Sequence, residues 1–586
     1  MRITPIPFHN VKVSSSFWNP IIETVATTTV RVCLDKCEET GRLDNFRKAA
    51  GRKEGSFKGI FFDDSDVYKV LEGAAYCLKL RPDAELEARV DGIIDDICAA
   101  QQPDGYINSY YTLTGLDKRW TDMGMHEDYC IGHLTEAGVA YHQATGKDQL
   151  LKCAIRAMDH MMSIFGPGKR HWVVGHEEPE LALVRLWRHT GEERFLTFSR
   201  WLLSERGHGY SKAESLDRAA FRVDYNQDDV PVEEARRVVG HAVRAMYLYT
   251  AMADLAGLEH PSPYDAALDA LWHNVVPANL YLTGGIGQSA SNEGFTRDFH
   301  KPNLTAYCET CASIGMALWN HRMSLLNGES KYADIVEREL YNGILSGISL
   351  SGDHFFYENP LASIGKHHRS TWFGCSCCPT NLVRFLPSVG GYCYAADENS
   401  VYIHQFIGSD LMYEDEKGHV SLQVRTEYPW ENTVSIQITE LTGRDTLRIR
   451  IPDWCKSNRL EGGKITRIQN GYLVIPAKTG DSFTLCLEMP ICRIHEDDRV
   501  KEDAGRVAVM RGPVVYCAEE ADNPGIPTEY FHAELQLPEK ARLTVGEKDE
   551  KLGGAQRIEA ENLHLIPYYC WDNRESGGMA IWLKEY

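Results

Sequence analysis

Apolar residues recur at spacings of three and four through residues 21–39, 66–80, 86–101, 127–145, 149–165, 177–190, 194–206, 233–255, 263–278, 306–326, 331–346 and 379–391. That is the stripe one face of an α-helix needs if it is to be buried. The joins repeat a form: Ala144-Thr145-Gly146 precedes LLKCAIRAM, His189-Thr190-Gly191 precedes FLTFSRWLL, and Leu326-Asn327-Gly328 precedes YADIVEREL, with Leu255-Ala256-Gly257 before YDAALDALW a looser copy. A glycine at these points suits the left-handed residue that ends a helix, and a short gap turns the next helix back along the last. Twelve helices in antiparallel pairs predict a closed (α/α)6 toroid.

From about residue 396 the period drops to two. VYIHQF, HVSLQVRTEY, TVSIQI, TLRIRIP, GYLVIPA, SFTLCLEM, RVAVMRGPVVYCAE and MAIWLKEY read as strands between Gly, Asn, Asp and Pro turns, which predicts one or two β-sandwiches. ITPIPFHNVKV near the start is strand-like too. The expected fold is mainly α with β: a strand segment over 1–15 that joins the sandwich, the toroid as catalytic domain over 16–395, and β-sandwich over 396–586. No low-complexity linker separates the parts, so they are expected to pack closely.

Composition narrows the function. The chain has 586 residues, 43% of them hydrophobic and 25% charged, the profile of an ordinary globular protein with more than one core. A net charge of −21 argues against a nucleic-acid partner, because phosphate binding needs a basic surface. Acidic polymers are poor substrates on the same ground, unless a local basic pocket overrides the average. No apolar run reaches the ~18 residues a membrane helix requires, and MRITPIPFHNVKV lacks a basic segment followed by an apolar one. A cytoplasmic protein with no membrane partner is expected. Seventeen cysteines, odd in number and scattered through apolar helical segments (Cys33, Cys77, Cys98, Cys153), read mostly as buried free thiols.

Two cysteine clusters stand apart. Cys308-Glu309-Thr310-Cys311 and Cys375-Ser376-Cys377-Cys378-Pro379 supply five thiols and a carboxylate, ligands suited to a borderline-soft cation such as Zn²⁺. Proline disfavours helix in the residue before it and favours the first helical turn after it. Cys377 and Cys378 are therefore expected on a loop at the mouth of helix 379–391, where free amides and the helix dipole lower a thiol pKa. Spacing alone also allows a structural zinc held by Cys308, Cys311, Cys375 and Cys378, or thiols with no metal at all.

The strings TGGIGQSASNEGF (283–295), CETCASIGMALWN (308–320), ERELYNGILSG (337–347), FYENPL (356–361) and CCPTN (377–381) resemble the motifs of glycoside hydrolase family 127, the β-L-arabinofuranosidase family, and stand in that family's order. DSDVYKVLEG (64–73), QQPDGYI (101–107), GHLTEAGVAY (132–141), GHEEPELALVRLW (175–187) and VVGHAVRAMYLY (238–249) agree. The likeness covers the helical part and extends more loosely into the strands through YPWENTVSIQI and RGPVVYCAE.

The resemblance implies a retaining, exo-acting hydrolase that releases β-L-arabinofuranose from an oligosaccharide or glycoconjugate. It implies a zinc bound by Glu309, Cys311, Cys377 and Cys378, with Cys377 as nucleophile, Glu293 as acid/base, and Cys308 and Cys375 as bystanders. His133, His176 and His241 become sugar-hydroxyl ligands, and Glu337 and Tyr357 pocket residues. Asp63-Asp64-Ser65-Asp66 reads as a helix cap. Thr380 stands where many relatives carry a second proline, a change expected at the floor of the sugar pocket. The strand region is short for the family, which puts a dimer-forming domain in question and leaves a homodimer open. Two other readings stay in view: the same chemistry on another sugar, such as a branched acidic sugar of pectin, and an epimerase, lyase or carbohydrate-binding protein on the same toroid with a structural zinc.

Overall fold

The computed structural model describes residues 3–211, 223–259 and 261–586. Twelve of its helices alternate between an outer and an inner ring. The outer ones are α1 (Val30–Glu39), α3 (Ala84–Ala100), α5 (Gln149–Ile164), α7 (Glu193–Ser204), α9 (Asp265–Ala278) and α11 (Ser330–Arg338). The inner ones are α2 (Asp64–Leu80), α4 (Glu127–Thr145), α6 (Pro179–Thr190), α8 (Ala242–Ala256), α10 (Thr310–Asn327) and α12 (Cys377–Phe385). Each inner helix packs on the next, and α12 packs back on α2, so the ring closes.

The difference between rings is written in composition. α8 is buried along its whole length, as a helix with neighbours on every side must be. α5 buries only Leu150, Leu151, Cys153, Ala154, Ala157, Met158, His160 and Met161, a single stripe. Gly146, Gly191 and Gly328 take φ of 77°, 74° and 65° at the ends of α4, α6 and α10, the left-handed stop that the repeated joins predict. Gly257 does not: it ends α8 at φ −68°.

Several inner helices start later than their apolar stripe suggests. α8 begins at Ala242, not near 233, because Gly240 turns the chain at φ 67° and His241 caps the helix through its ring. Segment 331–346 is α-helical only to Arg338, then a π turn over Glu339–Ile344. Segment 379–391 is corrected at both ends. α12 takes in Cys377 and Cys378 and passes at Leu386 into a 3₁₀ turn. Proline costs nothing within a first turn, whose amides have no helical acceptor.

Strands Thr4–Pro5, Tyr394–Ala396, Ser400–Ile403, Thr446–Arg450, Tyr472–Pro476 and Arg467–Gln469 form one six-stranded sheet in that order. A second runs Asn458–Glu461, Ser482–Leu487, Thr433–Leu441, Gly418–Arg425, Ser409–Asp415 and Val11–Val13. Thr4 pairs with Ala396 and Val11 with Leu411. The remaining strands build a ten-stranded sheet from Ile491 onward, and Ala362–Ile364 of the helical part pairs into it against Gly578–Ala580. The fold is a helical toroid followed by β-domains. Among the described residues no helix is long and apolar enough to cross a membrane.

Candidate active site

Five of the six inner helices line one cavity of about 270 Å³, and the segment leading into the sixth, α6, reaches it through His176. α2 contributes Ser65, Asp66 and Lys69, α4 Tyr129, α8 Val243 and Arg244, α10 Cys311, and α12 Cys377 and Asn381. His176, His241 and Glu309 come from the residues just before α6, α8 and α10. The positive ends of five helices therefore lie about one space, a setting that favours anionic ligands and side chains. His126, Glu293 and Cys308, at or beside this site, hold φ of 57°, 48° and 40°, and strained backbone of this kind tends to gather at functional sites.

On one side Glu309, Cys311, Cys377 and Cys378 bring four ligand atoms within 4.8 Å of one another. Cys377 Sγ lies 3.4 Å and Cys378 Sγ 3.6 Å from Glu309 Oε1, while Cys378 Sγ is 3.4 Å from Cys311 Sγ and 3.9 Å from Cys377 Sγ. Tetrahedral zinc with Zn–S of about 2.3 Å and Zn–O of about 2.0 Å has S···S edges of about 3.8 Å and S···O edges of about 3.5 Å. The residues fit that ion. Glu309 Oε2 is buried with no hydrogen-bond partner, and burial together with the neighbouring Cys377 pushes the Glu309 carboxyl well above its usual range. Both features mark a site that a cation would complete. Asn381 Nδ2 sits 3.0 Å from Cys311 Sγ, an outer partner of the type that orients a metal-binding group. Cys308 is absent from the converging set and lies against Gly285, so the four-cysteine alternative is not assembled.

Beside this cluster stands Glu293, one carboxylate oxygen of which lies within 4.8 Å of Glu309 and of His241. Its Oε2 accepts from the Tyr225 hydroxyl and its Oε1 from that of Tyr307, both at 3.0 Å, and His241 Nε2 lies 3.4 Å from Oε2. Burial works against ionising Glu293, but His241 and the two tyrosines outweigh it and hold the carboxyl at about 2. The loop is stitched to α8: Ala242 N donates to the Glu293 carbonyl and Phe295 N to that of Gly240.

The expected sugar ligands fare unevenly. His176 and His241 line the cavity, and His126 continues the row, with ring centroids 5.7 and 5.6 Å apart. Burial pushes all three below the ordinary histidine range, His126 to about 3, so at neutral pH they offer both a donor and an acceptor. The Tyr357 hydroxyl is 3.1 Å from Cys377 Sγ and 3.7 Å from Cys375 Sγ. His133 is corrected: fully buried, it lies one helical turn beyond Tyr129, edge-on to that ring, with Nδ1 3.1 Å from the Glu178 carboxylate. Glu337 is corrected as well. It sits on outer helix α11, ion-paired with Arg450 and hydrogen-bonded by Tyr428 and Trp454 at 2.6 and 3.1 Å. Thr380 does not form the pocket floor either; its hydroxyl donates to the carbonyls of Ser376 and Cys377 within α12.

Other residues in or beside the cavity escape the sequence reading. Asp66 is no cap: it binds Arg42, whose other end holds the Gly374 carbonyl at 2.7 Å and so fixes the cysteine loop. Lys69 donates to the Tyr129 hydroxyl at 2.6 Å. Tyr225 lies in a stretch without periodicity. Cys375, expected as a bystander, lines the cavity. The placing of Asp66 and Lys69 on the first turns of an inner helix was the available signal.

Comparison with known proteins covers almost the whole chain. Residues 10–391 match the GH127 catalytic domain of β-L-arabinofuranosidase, 400–491 the GH127 middle domain, and 491–584 the family's C-terminal domain. The chain is 35% identical to a non-reducing end β-L-arabinofuranosidase from Bifidobacterium longum subsp. longum, over 98% of this chain and 100% of that protein. The solved structure of a GH127 β-L-arabinofuranosidase from Geobacillus stearothermophilus T6 superposes with a TM-score of 0.92 at 37% identity, over 98% of this chain and 100% of that one. A second GH127 β-arabinofuranosidase structure gives a TM-score of 0.92 at 37% identity, covering 100% of this chain and 98% of the other.

Proposed function

This chain belongs to glycoside hydrolase family 127, and from that premise we propose that it is a retaining exo-β-L-arabinofuranosidase with Cys377 as nucleophile and Glu293 as acid/base. The observation that carries the reading is the convergence of a thiol cluster and a hydrogen-bonded carboxylate on one cavity large enough for a single sugar residue. Cys377 attacks the anomeric carbon as the glycosidic C–O bond breaks, and the leaving oxygen takes a proton from Glu293. Glu293 then takes a proton from water. The water oxygen displaces the Cys377 sulfur, and two inversions give net retention. Zinc held by Glu309, Cys311, Cys377 and Cys378 would supply the charge that keeps these thiols ionised at neutral pH. Neutral His176, His241 and the Tyr357 hydroxyl orient the ring. A cytoplasmic location and a homodimer belong to the same reading, checked by fractionation and light scattering.

The test is hydrolysis of an aryl β-L-arabinofuranoside, with metal analysis of the purified protein alongside. Cys377→Ala abolishes turnover, Glu293→Gln lowers it by roughly 100-fold or more, and a chelator that strips zinc lowers it too. A Cys377→Ser protein that keeps its zinc and full turnover overturns the assignment. One observation favours a second reading, in which the sugar carries a carboxylate. Arg244 lines the cavity with its Nε buried and unpartnered while its Nη1 is held by Gly175 and Asn226, and Lys69 lines the same cavity. Faster cleavage of a carboxylated glycoside than of the plain arabinofuranoside selects that reading.

A further inference from the structure

A cavity of about 270 Å³ lies at or below the lower end of the range for small-molecule sites, about 300–1,000 Å³. It takes one sugar residue, so the rest of a glycan must leave across the rim. Phe62 and His126 line the cavity and stack on each other at 5.0 Å with planes 21° apart. From them a line of aromatic rings runs outward. Phe61 lies edge-on to Phe62 at 5.0 Å and to His126 at 5.6 Å, Tyr110 is 6.3 Å from Phe61, and Phe57 meets Tyr110 edge-on at 5.1 Å.

Core packing accounts in part for Tyr110, which lies on the fringe of the main core, but not for Phe57 or Phe61. Phe57, Phe61 and Tyr110 are all half-buried. Among the described residues Phe57 and Phe61 belong neither to an apolar core nor to its fringe. Yet the loop that carries them is held from below by buried polar groups. Asn45 donates to the Lys58 carbonyl at 2.7 Å and accepts from its amide at 3.1 Å, Lys48 Nζ donates to the Ser56 carbonyl at 3.0 Å, and Asp63 accepts from Ile60 N at 3.0 Å. Gly59, at φ 94°, has no room for a Cβ, which would meet Asp63 Oδ2 at 2.1 Å. A loop fixed this firmly presents its rings already ordered, which removes an entropy cost of binding.

We propose that Phe57, Phe61 and Tyr110 form a platform for the sugar on the leaving-group side of the scissile bond. Aromatic faces take up the C–H faces of a sugar ring while its hydroxyls stay in water. The site rests on the glycosidase reading above and adds to it the residues that would hold the aglycone sugar of a glycan substrate. Binding at this distance from the reacting atoms acts on oligosaccharides and leaves minimal substrates untouched.

The experiment compares a methyl β-L-arabinofuranoside with the same sugar linked to a disaccharide, on wild type, Phe61→Ala and Phe57→Ala. Wild type should show the lower KM on the longer substrate. Each variant should raise that KM about three- to tenfold with kcat for the methyl glycoside unchanged, and Phe61→Tyr should restore it. Phe57→Ala, at the exposed tip, serves if Phe61→Ala melts early. If wild type cleaves both substrates with equal KM, or the variants change both substrates alike, the platform is wrong and the hydrolase reading stands. If wild type cleaves neither, the hydrolase reading itself fails and the platform with it.

Discussion

Glu293 is asked to give a proton and then take one, yet its two tyrosine donors and His241 favour the carboxylate. Removing one hydroxyl donor raises its pKa. Because the acid role needs the protonated form, that form then persists to higher pH. Tyr225→Phe should therefore move the alkaline limb of kcat/KM upward, read from a pH–rate profile; an unmoved or lowered limb removes Tyr225 from this role. Individual residues were partly legible in the sequence. Glu309, Cys311, Cys377 and Cys378 could be set together on their motifs and chemistry, and the structure brings their ligand atoms within 4.8 Å. Tyr225 and Arg42 could not, because neither sits in a periodic segment and each acts through a partner far away in sequence. Glu337 misled for the opposite reason: a carboxylate in a motif says nothing of which way its helix faces.

At the level of elements, the period of the apolar residues carried the twelve helices and the switch to strands. It failed at the starts of α8 and α10, where the chain leaves the helical pattern to carry site residues, and at the start of α12, where the helix takes in Cys377 and Cys378. The Glu293 loop shows why such exceptions are tightly specified. A Cβ on Gly294 would stand 1.8 Å from the Gly240 carbonyl oxygen, within the contact that ties this loop to the start of α8. Gly294→Ala should lower kcat for the aryl glycoside at least tenfold, a loss of about 1.4 kcal/mol in transition-state stabilisation, while the zinc content is unchanged. Full activity in that variant removes the loop's position from the mechanism.

Across the whole molecule the helical and β parts are joined by buried charge. Arg450, on a sheet strand, pairs with Asp334 and Glu337 of α11, and all three are sealed from solvent or nearly so. Removing one partner of such a pair leaves an uncompensated buried charge, at a cost of about 3–5 kcal/mol. Glu337→Ala should lower the thermal midpoint clearly while the folded protein keeps its KM for the aryl glycoside. A variant of unchanged stability and raised KM would return Glu337 to the sugar pocket.

The closing contact of the ring, α12 against α2, has a consequence in time. The four ligand atoms come from the starts of α10 and α12, so they meet only when α12, the helix that closes the ring, has docked on α10. A chain emerging from the ribosome carries Glu309 and Cys311 long before Cys377 exists. Until that helix arrives it has half a metal site, no thiol to attack a sugar, and a first strand, Thr4–Pro5, still waiting for Tyr394–Ala396. Uptake of the ion by a nascent chain would thus be a clock for completion of the toroid.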